Sequence, residues 1–237
     1  EPLETTDTIH YIIHAASPVG RLDFIQNPLS VISANIKGTE NLLQYAAQNP
    51  VDGFLFISSR EIYGEPVSDK RFISEDDYGV VNPTLVRSCY PESKRMAENL
   101  CVCYAAQHHV PVKIARLAHV YGPEYSLSSN RVWEDFIGKA ISGEDIVLNS
   151  DGSGELALTY VSDAVSGLLF VLLNGEDMGY NVSNTSEIVT VRELAELVAS
   201  LVPEKKIKVV CREPKEDMGY LKNKVAMMSD EKVKGLG

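Results

Sequence analysis

The sequence predicts an α/β protein: a doubly wound parallel sheet with helices on both faces, extended by a smaller α/β lobe. Short apolar runs such as "IHYIIHAA", "GFLFISS" and "VKIARLA" have the length and composition of strands buried on both faces. Helical segments separate them, the pattern of parallel strands joined by crossovers. After Gly122-Pro123 the texture changes to amphipathic helices and short strands. This places residues 1–122 in the sheet domain and residues 123–237 mainly in the lobe, interleaved with the end of the sheet.

The elements follow in order. "IHYIIHAA" is the first strand. "NPLSVISANIKGTENLLQYAAQN" is a helix with Pro28 in its first turn and Leu29, Ile32, Ile36, Leu42, Leu43 and Ala46 at helical spacing, weakened at Gly38. "GFLFISS" is the second strand, and a Gly-, Pro-, Asp- and Ser-rich loop over residues 64–86 leads to the helix of "RSCYPESKRMAENL". Its length suits a functional cover better than a simple linker. "VKIARLA" is the next strand. In the lobe, "RVWEDFIGKAISGE" is an amphipathic helix, "DIVLN" a short strand and "YVSDAVSGLLFVLLNG" a long apolar helix. "TVRELAELVASLV" opens with the capping box Thr190/Glu193 and sets Leu194, Leu197, Val198 and Leu201 on one face. "KIKVVCR" is a final strand.

The chain has 237 residues, 44% hydrophobic and 23% charged, with a formal net charge of −11. That charge argues against a general nucleic-acid or membrane-surface binder, since both need positive charge facing phosphate. No apolar stretch approaches the roughly 20 residues that span a bilayer, and no signal-peptide pattern opens the chain. These features suit a cytoplasmic enzyme. Cys89, Cys101, Cys103 and Cys211 lack metal-ligand spacing and read as buried reduced thiols, with no metal site expected.

Chemistry gathers at two places. Tyr90 and Lys94 stand four apart, one helical turn, where a phenol and an ammonium influence each other. The same spacing also occurs on ordinary solvated helices. "FISSREIYG" ends a buried strand with Ser58 and Ser59 and continues to Glu61, where the side chains of a parallel sheet meet its ligand crevice. Hydroxyls and a carboxylate there could polarise a substrate hydroxyl; alternatively Ser59 caps a turn and Glu61 is solvated.

Taken together, "HAAS", "NIKGTENLL", "SSREIYGEP", "YPESK" and "RLAHVYGP" resemble, in order and spacing, the extended short-chain dehydrogenase/reductase family of NAD-dependent nucleotide-sugar epimerases, dehydratases and decarboxylases. "VNPTLVRSCYPESKRMAENL", "IARLAHVYGP" and "NRVWEDFIGKAISGE" are similar to the UDP-glucuronate decarboxylase subgroup. The resemblance covers nearly the whole chain. It implies a Rossmann-type sheet, a substrate-binding lobe, NAD as cofactor, a nucleotide-sugar substrate, a 4-keto intermediate and a homodimer. In that frame Ser59, Glu61, Tyr90 and Lys94 are catalytic, with Lys94 favouring the phenolate of Tyr90 and holding the nicotinamide ribose. Ala15, Ala16, Ser17, Asn35, Tyr90, Lys94 and Val120 would line the cofactor, while His119 and Arg131 would bind substrate.

The sequence departs from the family in three respects. It has no GxxGxxG loop to receive the pyrophosphate at a helix N-terminus, and "GSGELA" at residues 152–157 reads as a turn. The chain therefore reads as a fragment lacking the first strands of the sheet. "EPLE" sits just ahead of the family's fourth strand, one sheet edge is expected to be exposed, and NAD binding by the chain as given is expected to be weak. His119 stands where many relatives carry asparagine, and Leu156 where they carry a substrate-contacting arginine. The leading expectation is an enzyme resembling UDP-glucuronate decarboxylase. The alternatives are a dTDP-glucose 4,6-dehydratase, a nucleotide-sugar 4-epimerase, or a non-catalytic binding or scaffold remnant.

Overall fold

The structure is a computed structural model that describes residues 5–20, 22–67, 69–123, 131–212 and 227–237. The tetrapeptide "EPLE" lies outside the described residues. Strand β1 (Tyr11–His14) is followed by a short helix α1 (Asp23–Gln26) and a long helix α2 (Pro28–Gln48). β2 (Gly53–Ser59) runs into a 3-10 turn at Arg60–Tyr63. The following loop carries β3 (Phe72–Ile73) and a second 3-10 turn at Val86–Ser88. Then come α3 (Cys89–His108), β4 (Val112–Leu117) and β5 (Val120–Tyr121). The remainder contains α4 (Val132–Ser142), β6 (Ile146–Leu148), β7 (Glu155–Ala157), β8 (Thr159–Tyr160) and α5 (Val161–Asn174). It continues with β9 (Gly179–Val182), β10 (Ile188–Thr190), α6 (Val191–Ser200), β11 (Val209–Cys211), β12 (Met227–Met228) and α7 (Glu231–Lys234).

The main sheet is parallel throughout and runs β1-β2-β4-β9. Alternation along β2 divides its side chains between two cores. Phe54 and Phe56 join Leu43 of α2 and Ala97 and Cys101 of α3, whereas Leu55 joins Ala115 of β4 and Val171 of α5. Each large apolar side chain buried this way contributes about 1.5–3 kcal/mol. β1 forms the sheet edge, and its outward residues Tyr11 and Ile13 are 49% and 47% exposed. The lobe has its own core, in which Trp133, Phe136, Ile146, Leu148, Leu194 and Val198 pack together. Among the described residues no helix is long and apolar enough to cross a membrane.

A buried polar network ties these layers to the loop after β2. Arg116 of β4 meets Glu98 of α3 through Nε at 3.1 Å and Nη2 at 2.8 Å. Its Nη1 donates to the hydroxyl of Tyr63 at 2.8 Å and to the carbonyl of Glu75 at 3.0 Å. Tyr63 in turn donates to Asn181 of β9 at 2.6 Å, and the Asn181 amide donates to the carbonyl of Ile73 at 3.1 Å. One guanidinium thereby connects two strands, a helix and the turn that ends in Gly64.

The α2 helix and the α6 cap form as expected, whereas the inward face of α6 and the burial of two cysteines need correcting. α2 runs unbroken through Gly38, because packing of Val31, Leu43 and Ala46 outweighs the roughly 1 kcal/mol a glycine costs a helix. In α6 the capping box forms, with the Thr190 hydroxyl accepting from the Glu193 amide at 3.1 Å and the Glu193 carboxylate accepting from the Thr190 amide at 2.7 Å. Its buried stripe is Leu194, Ala195 and Val198, while Leu197 and Leu201 are 54% and 72% exposed. Cys89 and Cys101 are buried free thiols, but Cys103 and Cys211 are exposed, since the first lies on the outer face of α3 and the second on a lobe strand.

Glu98→Ala would leave the Arg116 charge buried without its carboxylate, so it should cost about 3–5 kcal/mol in urea denaturation. Replacing both partners by apolar residues of similar volume should cost clearly less.

Candidate functional site

The site begins where β2 ends. The Ser59 hydroxyl accepts the amide of Glu61 at 3.2 Å, which starts the tight turn and brings the Glu61 carboxylate beside the strand end. Gly64 closes that turn at φ +63°, against the backbone of Val80, where a side chain has neither the conformation nor the room. Ser58, one residue earlier, is buried, and its hydroxyl has no hydrogen-bond partner among the described residues.

Tyr90 comes to this turn from the first turn of α3. Its ring is stacked on Phe24 of α1, with centroids 4.5 Å apart and planes 19° off parallel. Burial raises the pKa of the phenol above its usual value. A hydrogen bond with Ser59 works against that rise, the Glu61 carboxylate adds to it, and Arg131 and Arg87 oppose it. Lys94 was expected to favour the phenolate. Instead its ammonium donates to the carbonyl of Ile57 at 2.9 Å and lies 4.8 Å from the centroid of the Phe56 ring. Among the charges acting on the phenol, those of Arg131 and Arg87 favour its ionisation. Burial lowers the pKa of Lys94 to about 8.

On the cofactor side, Ala15 and Ala16 follow β1 with their side chains exposed, and Ser17 is half-buried. The hydroxyl of Ser17 donates to Asn35 at 2.6 Å, the Asn35 amide donates to Ser93 at 2.9 Å, and Ser93 donates to the Tyr90 carbonyl at 3.0 Å. Asn35 is thus fully engaged and buried, and it ties α2 to the helix carrying Tyr90. Behind it, Thr39 donates to the Asn35 carbonyl at 2.6 Å, so the 3.0 Å contact between Thr39 and His14 needs the imidazole Nε2–H as donor. Burial first, and the Lys94 charge second, lower the His14 pKa to about 4 and keep that ring neutral.

On the lobe side, His119 adopts the left-handed conformation at φ +45°. Asparagine, aspartate and histidine are the side chains enriched there, so the backbone accommodates His119 at little cost. Burial, followed by the charge of Arg60, lowers the His119 pKa to about 4. Val120 lies in β5, which pairs with β8. Arg131 occupies the N-cap of α4, with Nη1 3.8 Å from the buried Glu134 carboxylate and its guanidinium 5.8 Å from the Trp133 ring centroid. Leu156 packs against the lobe core, so it acts as apolar filler. "GSGELA" forms a turn, with Gly152 at φ +76°, and then β7.

The structure therefore gathers Ser59, Glu61 and Tyr90 tightly, with the Arg131 charge felt at the phenol. Lys94 reaches the same strand end from below. Sequence reasoning missed Phe24, Arg87 and His14. Arg87 stands three residues before Tyr90 in the same short motif, a spacing that could have flagged it; Phe24 had no such signal.

Burying the Lys94 ammonium carries a penalty while the group is charged. Its folded pKa of about 8 lies below the 10.5 of a lysine in water. Between those values the unfolded chain holds the extra proton, so wild-type stability should rise with pH in that window. Lys94→Met should be more stable than wild type below pH about 8, by up to roughly 3 kcal/mol. That advantage should shrink towards pH 10.5, as read by urea melts at several pH values.

A family profile described as "NAD dependent epimerase/dehydratase family" matches residues 2–183. UDP-glucuronic acid decarboxylase 5 of Arabidopsis thaliana is 38% identical over 208 residues, covering 87% of this chain and 60% of the relative. UDP-glucuronic acid decarboxylase 1 of Danio rerio is 35% identical over 194 residues, covering 82% of this chain and 46% of the relative. The chain thus spans about half to three fifths of the length of these relatives. Among solved structures, UDP-glucose 4-epimerase of Thermotoga maritima with UDP-glucose aligns with a TM-score of 0.81 at 22% identity, over 95% of this chain and 70% of that one. UDP-glucuronic acid 4-epimerase of Bacillus cereus, in complex with UDP-glucuronic acid and NAD, aligns with a TM-score of 0.78 at 21% identity, over 96% and 69%. At such identities the structures speak for the fold. With the profile matched over most of its length, this chain belongs to the NAD dependent epimerase/dehydratase family.

Proposed function

We propose that this chain carries the catalytic residues and the substrate lobe, mainly residues 123–237, of an NAD-dependent nucleotide-sugar enzyme. The reaction is decarboxylation of UDP-glucuronate through a 4-keto sugar. The observation that carries this reading is the convergence of Tyr90, Ser59 and Glu61 at the carboxyl end of β2. The residues present fit the nicotinamide end of NAD: Ala15 and Ala16 offer small exposed side chains, and the Ser58 hydroxyl is buried without a partner among the described residues. Ser17, Asn35, Lys94 and Val120 complete that side. When bound, NAD would supply the acceptor for the hydride leaving C4 and would return that hydride to C4 once CO2 has left.

The protein's own groups do the rest. Tyr90 takes the proton of the sugar 4-hydroxyl, while Ser59 hydrogen-bonds the same oxygen and holds it in line. The resulting ketone lies β to the C6 carboxylate. The C5–C6 bond can then break with its electron pair flowing to the C4 oxygen as CO2 leaves, and the hydroxyls of Tyr90 and Ser59 stabilise that enolate. Glu61, beside them, relays a proton from solvent to C5, and Tyr90 returns its proton to the C4 oxygen when the ketone is reduced again. Arg131 pairs with the diphosphate through its forked guanidinium, and neutral His119 donates to it through one ring N–H. Lys94 holds the ribose hydroxyls at the strand end. A cytoplasmic homodimer is part of the same reading.

Leu156 favours a second reading. With an apolar side chain there, no guanidinium at that position assists loss of the carboxylate, and a 4-epimerase needs only the oxidation and its reversal.

The test uses the product of the complete reading frame with NAD and UDP-glucuronate, then with UDP- and dTDP-glucose. Release of CO2 is the expected result. Inversion at C4 would favour the epimerase and a 4-keto-6-deoxy sugar the dehydratase, whereas no turnover of any sugar would mark a non-catalytic binding protein. Tyr90→Phe should lower turnover by about 10²–10⁴-fold, with substrate affinity little changed.

A further inference from the structure

Arg87 has no role in the reaction described above, yet it bridges two sides of the site. Its Nη1 donates to Oε2 of Glu61 and its Nη2 to Oε1, both at 2.8 Å. Such two-point contact fixes both the place and the plane of a carboxylate. The same guanidinium lies 5.9 Å from the centroid of the Phe24 ring, which is stacked on Tyr90 at 4.5 Å. Phe24 thus contacts both the phenol and the cation that holds the Glu61 carboxylate. The Arg87 side chain is 48% exposed and that of Glu61 32%, so the pair sits at the rim of the site.

We propose that Arg87 is a positioning residue, which sets where the Glu61 carboxylate stands relative to the Tyr90 phenol and offsets its negative charge there. Its bearing on turnover rests on the reading proposed above, whereas the titration that tests it needs no turnover. The groups that face Tyr90 are the Ser59 hydroxyl and the Glu61 carboxylate after β2, Arg131 ahead of α4 and Arg87 ahead of α3. Glu61 opposes ionisation of the phenol, and the two arginines favour it. Loss of Arg87 removes one cation and also leaves the Glu61 charge without its partner. Both changes push in the same direction.

The experiment installs difluorotyrosine at position 90 of this chain, which brings the phenol into an accessible pH range and gives one fluorine NMR signal. Arg87→Gln should raise the midpoint of that signal by roughly 0.5–1 pH unit. Arg87→Lys keeps the charge without the fork and should raise it by less. Glu61→Gln should lower it. Should Arg87→Gln fail to fold, the other two variants decide. Midpoints equal to the parent's in the folded variants would overturn the proposal. Failure of the wild-type protein to turn over any nucleotide sugar would overturn the functional reading instead and leave this result standing.

Discussion

The buried contact between Arg116 and Glu98 is the constraint on which the rest of the structure depends. An ion pair taken out of water gains little by itself, because desolvation offsets most of the attraction. What it supplies is position. Once the guanidinium is buried, each of its donors needs an acceptor, and these come from Glu98, Tyr63 and the Glu75 carbonyl. Tyr63 closes the turn that starts at Ser59, so the strand end bearing Ser59 and Glu61 is held through Tyr63 to the helix that bears Tyr90. Arg95, on that same helix, adds to the hold by donating to the carbonyls of Ile62 at 2.6 Å and Gly79 at 2.9 Å. The site is precise because its two halves share one polar core.

The electrostatics of the site run against those of the chain. The protein carries a formal net charge of −11, yet Arg60, Arg87 and Arg131 act on the residues around Tyr90 and His119. Cations near a half-buried crevice act over short range with little screening. Burial first, and the Arg60 charge second, keep the His119 imidazole neutral. Burial has the opposite effect on Tyr90, raising its proton affinity, and the arginines recover part of that loss.

Much of this was legible in the sequence, and the reasons are physical. β2 and α2 were readable because a doubly buried strand must be continuously apolar, and because Pro28 and a long apolar stripe mark a helix start and face. The α6 cap was readable from Thr190 and Glu193 alone. Which leucines of this segment face inward was not: the core accepts Leu194, Ala195 and Val198, whereas Leu197 lies about 60° round the helix from Leu194 and Leu201 stands past the last turn of α6. Tyr90, Ser59 and Glu61 were legible because they fall in short motifs. The direction of Lys94 was not, since spacing along a helix gives proximity but not which acceptor an ammonium will take. Arg116 was read as part of an apolar strand, and nothing local reveals that Glu98, 18 residues earlier, is its partner.

The central claim is that the 4-hydroxyl of a nucleotide sugar loses its proton to Tyr90 as the C4 hydrogen leaves as hydride. Its most direct measurement uses UDP-glucuronate deuterated at C4 with the product of the complete reading frame, followed by mass analysis of the nicotinamide ring trapped during turnover. The account predicts that the deuterium is found on the nicotinamide, and that Tyr90→Phe abolishes this transfer while the sugar still binds. Product formed with the deuterium never leaving the sugar would contradict it.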